Sequence, residues 1–158
     1  MLRTSALFSA LLFCTLQSAA IAGPAENKIV ASRVILEKMG QDRFDIQDQL
    51  YGPGFVAHGF GRDYTLAEDE ASGKQLRAAF PDLKVKVDRI IAEGDLVSPH
   101  WSAVGTNTAA VPGFPGQGKT VSVDGMSFFR FADGKIVEEW STYDNLTILQ
   151  QLGLFPSK

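Results

Sequence analysis

The chain has 158 residues, 45% of them hydrophobic, and its 15 Lys+Arg against 18 Asp+Glu give a formal charge of −3. That is enough apolar material for one domain with a core, and a mildly acidic surface without a basic stripe argues against a nucleic-acid partner. One cysteine, Cys14, and two histidines, His58 and His100, offer no disulfide pair and no metal-ligand spacing, so no metal is expected.

Residues 1–22 read as a secretory signal peptide. Arg3 supplies the positive start, residues 6–16 are mostly apolar, and Ala20-Ile21-Ala22 puts small side chains before Gly23. An apolar run of about 11 residues is too short for a bilayer that needs ~20, so no membrane span is expected. Bulky Phe13 argues against a lipoprotein cut before Cys14. Cleavage after Ala22 leaves a domain at 23–158, secreted or periplasmic, whose charge becomes −4 once Arg3 is gone. Cys14 leaves with the signal, so stability rests on packing alone.

The spacing of Ile29, Val30, Val34, Ile35 and Leu36 predicts a helix over residues 26–39, stopped by Gly40. Residues 44–51 predict a second short helix ended by Gly52-Pro53-Gly54, and residues 55–58 a short strand. Gly59-Phe60-Gly61 reads as a loop. Thr65-Leu66-Ala67-Glu68 has capping-box spacing and starts a third helix to about residue 80, weakened by Gly73 by up to ~1 kcal/mol relative to Ala.

From Leu83 the period becomes two. Leu83, Val85 and Val87 alternate with Lys84, Lys86 and Asp88, a half-buried strand ending near Glu93. Glu93-Gly94-Asp95 is a hairpin turn, and residues 96–108 form the partner strand, where Pro99 marks a bulge or an edge. Residues 111–118 (VPGFPGQG) read as a rigid loop. Residues 120–131 and 136–143 make a last hairpin around Asp133-Gly134, followed by a closing helix at 146–152. Helices gathered on one side of a curved antiparallel sheet make an α+β domain whose concave face suits a ligand pocket.

With these elements placed, the ordered set Leu50-Tyr51, Phe55-Val56-Ala57-His58-Gly59, Leu76-Arg77-Ala78-Ala79-Phe80-Pro81-Asp82-Leu83, Ile91-Ala92-Glu93-Gly94-Asp95, Trp101, Gly105-Thr106, Asp133-Gly134-Lys135-Ile136-Val137-Glu138, Trp140 and Gln151-Leu152-Gly153 resembles the SnoaL-like polyketide cyclases, or ester cyclases. The resemblance spans nearly all of residues 27–153. It implies the cone-shaped fold of nuclear transport factor 2, with three helices of the N-terminal half roofing the sheet. It also implies a homodimer and cofactor-free closure of a polyketide ester by proton transfer next to a carbonyl. In that family the acid/base aspartate lies eight residues beyond the aspartate of the D-G-K-I turn, and here that position is Ser141. The family's supporting histidine falls at Ser127, and its polar residue in the early strand at Ala57. A hydroxyl cannot serve as the resting base that a carboxylate provides.

Alternation puts Glu139, Ser141 and Tyr143 on one strand face, and Val121, Val123, Ser127, Phe129 and Phe131 on one face of the neighbouring strand. The catalytic candidates are therefore Asp144, His58 and Tyr143, with Ser127 and Ser141 as hydrogen-bond donors. Phe129, Val123, His100 and Trp101 are the candidate pocket wall. Glu139 is a candidate replacement carboxylate. Competing readings are plain: Asp144-Asn145 is good N-cap chemistry, His58 can bond a loop carbonyl, and the Phe and Val residues can be ordinary core. No G-x-S-x-G elbow and no strand-linked G-x-G-x-x-G occurs, so neither a serine hydrolase nor a dinucleotide site is suggested. The expected partner is a small apolar or carbonyl-bearing molecule. The expected activity is a cyclase or isomerase. The alternatives are a binding protein that kept the pocket without the base, and a dimerisation module.

Overall fold

A computed structural model describes residues 23–59 and 61–156; the expected export signal lies outside them. Helix α1 (Pro24–Arg33) runs without a break into a π-helical stretch, Val34–Met39. A 3₁₀ turn, Phe44–Ile46, leads into α2 (Gln47–Leu50), then β1 (Tyr51–Gly59), β2 (Arg62–Thr65) and α3 (Leu66–Ala79). The second half holds β3 (Lys84–Glu93), β4 (Leu96–Asn107), the short strands β5 (Ala110–Val111) and β6 (Phe114–Pro115), β7 (Lys119–Ala132), β8 (Lys135–Tyr143) and α4 (Asn145–Leu152).

Local chemistry sets these boundaries. The Thr65 hydroxyl accepts the Glu68 N–H at 3.3 Å, and the Glu68 carboxylate accepts the Thr65 N–H at 2.9 Å. That backbone hydrogen bond, with Arg62 alongside, holds the Glu68 carboxyl down to about 2. Gly73 has a packing reason, since a β-carbon there would stand 2.8 Å from the Phe44 ring. Asp133 and Gly134 both take positive φ (50° and 75°), the backbone that a tight hairpin between β7 and β8 requires.

A six-stranded sheet follows the order β2-β1-β8-β7-β4-β3. Its pairings are antiparallel with one exception, β1 beside β8, which run parallel. The expected antiparallel sheet is present, with this one parallel seam. The parallel pair arises because the chain crosses from β1 to β8 by way of everything between them. β2 escaped the sequence pattern because Arg62-Asp63-Tyr64-Thr65 is short and polar, and the expected loop at 111–118 contains the small β5–β6 hairpin. Pro99 lies on an interior strand, opposite Ser127 in the β4–β7 register. It cannot donate to that ladder, and the Ser98 hydroxyl donates to Ser127 O at 2.9 Å in its place. A bulge does occur beside it, in β3 between Val87 and Arg89.

The concave face and the helices enclose two apolar groups. Val34, Ile35, Ile46, Leu50, Tyr51, Phe55, Val97, Phe129 and Ile136 form one, and Ala79, Phe80, Val121, Ile148 and Leu152 the other. Each fully buried aliphatic or phenyl side chain here contributes roughly 1.5–3 kcal/mol. Among the described residues no helix is long and apolar enough to cross a membrane.

Candidate functional site

Between the two apolar groups lies a cavity of about 390 Å³. Its wall is mostly apolar: Val34, Ile35 and Met39 from the π-helical stretch, Leu76 and Phe80 from the α3 side, Val121 and Val123 from β7, and Ile148 from α4. The β5–β6 hairpin closes one side with Val111 and Phe114, the latter edge-on to Phe80 at 5.1 Å. Asn107, fully buried, fixes this hairpin by accepting the Gly116 N–H at 2.8 Å and donating to Ala79 O and Ala109 O.

The polar side chains gather at one end. Alternation along β8 delivers Glu139, Ser141 and Tyr143 to the cavity, and β7 delivers Ser127 directly opposite Ser141. The Ser141 hydroxyl donates to Glu139 Oε1 at 2.6 Å. A hydroxyl has one proton to give, so the 2.9 Å contact between the two serines runs from Ser127 to Ser141. Ser127 in turn accepts the Trp101 indole N–H at 3.2 Å. The result is a directed chain, Trp101 to Ser127 to Ser141 to Glu139.

A second group faces it. Lys38, buried, donates to Tyr51 Oη at 2.9 Å and to Asp69 Oδ2 at 2.5 Å, and its ammonium stands 4.5 Å from the Tyr51 ring centroid. Burial raises the Glu139 carboxyl to about 7, helped by the Asp69 charge and opposed by Lys38 and the Ser141 hydrogen bond. By accessible surface Glu139 is half-buried and it lines the cavity, with burial the largest cause of its shift. Burial also pushes the Tyr51 phenol well up and the Tyr143 phenol up, so both stay neutral.

Of the residues singled out in the sequence, Tyr143, Ser127, Ser141, Val123 and Trp101 meet in this cavity. Four do not. His58 pairs with Trp140 across β1–β8, stacks on its ring at 4.6 Å and bonds Asp63 Oδ1 at 2.8 Å, on the sheet face opposite Glu139. His100, one residue from Trp101, takes the other face and lies 3.9 Å from Asp124 Oδ1. Asp144 caps α4, accepting the Thr147 N–H at 2.9 Å and its hydroxyl at 2.6 Å, and these bonds lower its carboxyl. Phe129 is wholly buried in the core beneath the cavity rather than in its wall.

Lys38, Tyr51 and Asp69 were missed. Lys38 carries no signal in a regular helical pattern. The π-helical turn that holds it is of a kind often found at functional sites. Among the described residues no cluster of three or more His, Cys, Asp or Glu side chains could hold a metal ion.

The family model of SnoaL-like polyketide cyclases matches residues 29–152. Among solved structures, AclR of Streptomyces galilaeus, provisionally assigned as a hydroxylase, superposes with a TM-score of 0.77 at 25% identity, over 85% of this chain and 89% of that one. IdmH of Streptomyces antibioticus, provisionally assigned as a polyketide cyclase, gives 0.71 at 27% identity, over 80% and 98%. A provisionally assigned polyketide cyclase of Acidithiobacillus ferrooxidans gives 0.70 at 26%, over 82% and 95%. Among curated proteins none matches.

Proposed function

Since the chain belongs to the SnoaL-like polyketide cyclase family, we propose that it is a cofactor-free cyclase or isomerase that moves a proton beside a carbonyl, with Glu139 as the acid/base group. One observation carries this reading. A carboxyl sits in an apolar cavity at the end of a directed hydrogen-bond chain, two residues along the same strand face from Ser141, where the family keeps its aspartate. A carboxyl near neutrality is half ionised at working pH, the condition in which one group both takes and returns a proton. The apolar wall suits a lipophilic substrate. Tyr143 bounds the polar end as a neutral phenol.

The positive start, apolar run and small residues before Gly23 support export to the periplasm or beyond. Exposed Met126, Phe128 and Trp140 on the outer sheet face support a homodimer through that face.

Deuterium uptake at the α-carbons of 2-tetralone, an apolar ketone, tests the reading by NMR. The protein is expected to accelerate exchange over buffer, and Glu139→Gln to lose the acceleration by roughly 10²–10⁴-fold. Tight binding of 2-tetralone with no exchange would favour a carrier that kept the pocket without the chemistry.

A further inference from the structure

Removing a proton beside a carbonyl turns the electron pair of the broken C–H bond into a new C=C bond and pushes the carbonyl π pair onto oxygen. That oxygen becomes an enolate and needs a donor in place before it forms. The serine chain cannot supply one. Ser127 gives its proton to Ser141, Ser141 gives its proton to Glu139, and the Trp101 N–H is taken by Ser127. Arg77 is tied to the backbone through its two terminal nitrogens, to Leu83 O at 3.1 Å and Met39 O at 2.8 Å, although its buried Nε has no partner among the described residues. Ser72 is committed to Glu68 O at 2.9 Å.

Tyr51 is placed differently. It lines the cavity and, among the described residues, the hydrogen bond of its hydroxyl is the one it accepts from Lys38. A phenol that accepts on oxygen still has its own proton to give. An ammonium bonded to that oxygen polarises the O–H and strengthens it as a donor. Asp69 anchors Lys38 from the other side, so the phenol is held from behind with its proton uncommitted. Tyr51 lies at the start of β1 and opposes Ile136 of β8, the strand that carries Glu139, so base and donor come from adjacent strands.

We propose that Tyr51 is the donor that receives the negative charge developing on the substrate's carbonyl oxygen, with Lys38 as its positioning residue. This rests on the proton-transfer reading above. Glu139 takes the α-proton, the oxygen gains the charge and the Tyr51 hydrogen bond, and the proton returns from Glu139 to carbon.

The test uses the full chain and two probes: exchange of 2-tetralone, and binding of 2-naphthol, an aromatic stand-in for its enol that requires no turnover. Tyr51→Phe is expected to slow exchange about 100-fold while shifting 2-tetralone binding less than about twofold, and to weaken 2-naphthol about tenfold. Lys38→Met is expected to follow in the same direction, with Lys38→Arg partly restoring exchange; a loss of KM alone would mark Lys38 as merely structural. Exchange within twofold of wild type in Tyr51→Phe, with Glu139→Gln inactive, overturns the donor and leaves the base standing. Wild-type exchange in both variants overturns the base as well. Unchanged 2-naphthol affinity in Tyr51→Phe overturns the donor whatever the exchange rate.

Discussion

The indole of Trp101 lies against the bare backbone of Gly125, its partner across the β4–β7 ladder, so closely that a β-carbon on Gly125 would fall 2.2 Å from Trp101 Cζ2. The glycine therefore sets where the indole N–H points, and the N–H begins the chain that ends on Glu139. Gly125→Ala is expected to cost about 1–3 kcal/mol of stability through overpacking. It is also expected to lower exchange activity at saturating 2-tetralone. Denaturant melts read the first, and the indole N–H resonance of Trp101 reports the displaced ring.

Glu139 gives the site a pH signature. Its carboxyl is raised from 4.5 to about 7 in the folded protein, so between those values the folded state binds more protons than the unfolded chain and stability falls as pH rises. Well above pH ~7 the full penalty is present, roughly 3 kcal/mol. Glu139→Gln is expected to remove it, so the variant gains on wild type at pH 8 and not at pH 4.5. Denaturant midpoints at both values check the sign. A wild-type stability profile that is level from pH 5 to 8 would count against a buried, neutral-leaning carboxyl.

Asp144→Ala and His58→Ala are expected to leave 2-tetralone exchange within about twofold of wild type, because neither side chain reaches the cavity. Asp144→Ala still loses the cap of α4 and lowers the melting temperature, whereas Asp144→Asn keeps much of it, since asparagine caps comparably. The lowered carboxyl of Asp144 contributes stability above its unfolded value of 3.8, and that contribution fades as pH falls through the folded one. The gap in melting temperature between wild type and Asp144→Ala should accordingly close in acid.

Asn107 is expected to matter out of proportion to its distance from Glu139. Asn107→Ala leaves the Gly116 N–H and Ala109 O without this partner inside the fold, while Ala79 O keeps the Thr108 N–H, at about 1–3 kcal/mol. Because the same bonds hold the hairpin that carries Phe114, 2-tetralone affinity should fall along with stability. Titration at a temperature where the variant is fully folded separates the two effects.

Local patterns proved legible. The capping box at Thr65, the Asp133-Gly134 turn and the period-two strands lie where short-range rules put them, and alternation alone brings Glu139, Ser141, Tyr143 and Ser127 to one place. What stayed hidden is what depends on distant chain. The outward turn of His58 follows from its register with Trp140, set by a pairing between strands far apart in sequence. His100 was the exception, since its parity with Trp101 already separates the two. Lys38, Tyr51 and Asp69 come from a helix, a strand and another helix with no shared motif, and the π-helical turn under Lys38 leaves no mark in hydrophobic spacing. Glu139 shares the strand face of Ser141, but the burial that raises its carboxyl depends on helices packed from elsewhere in the chain.

The parallel seam between β1 and β8 also dictates when the chamber can exist. It joins Tyr51 to Ile136 and Val56 to Glu138, so it closes a very long loop, whose entropy must be spent before any of its contacts form. β3, β4 and β7 can zip as neighbouring hairpins well before that. The two halves of the reactive end, Tyr51 on one strand and Glu139 on the other, therefore meet only at the closing step. A chain still emerging from a ribosome has no cavity to bind ligand prematurely, and an internal cleavage that frees β1 from the rest would erase the site while leaving most of the sheet paired.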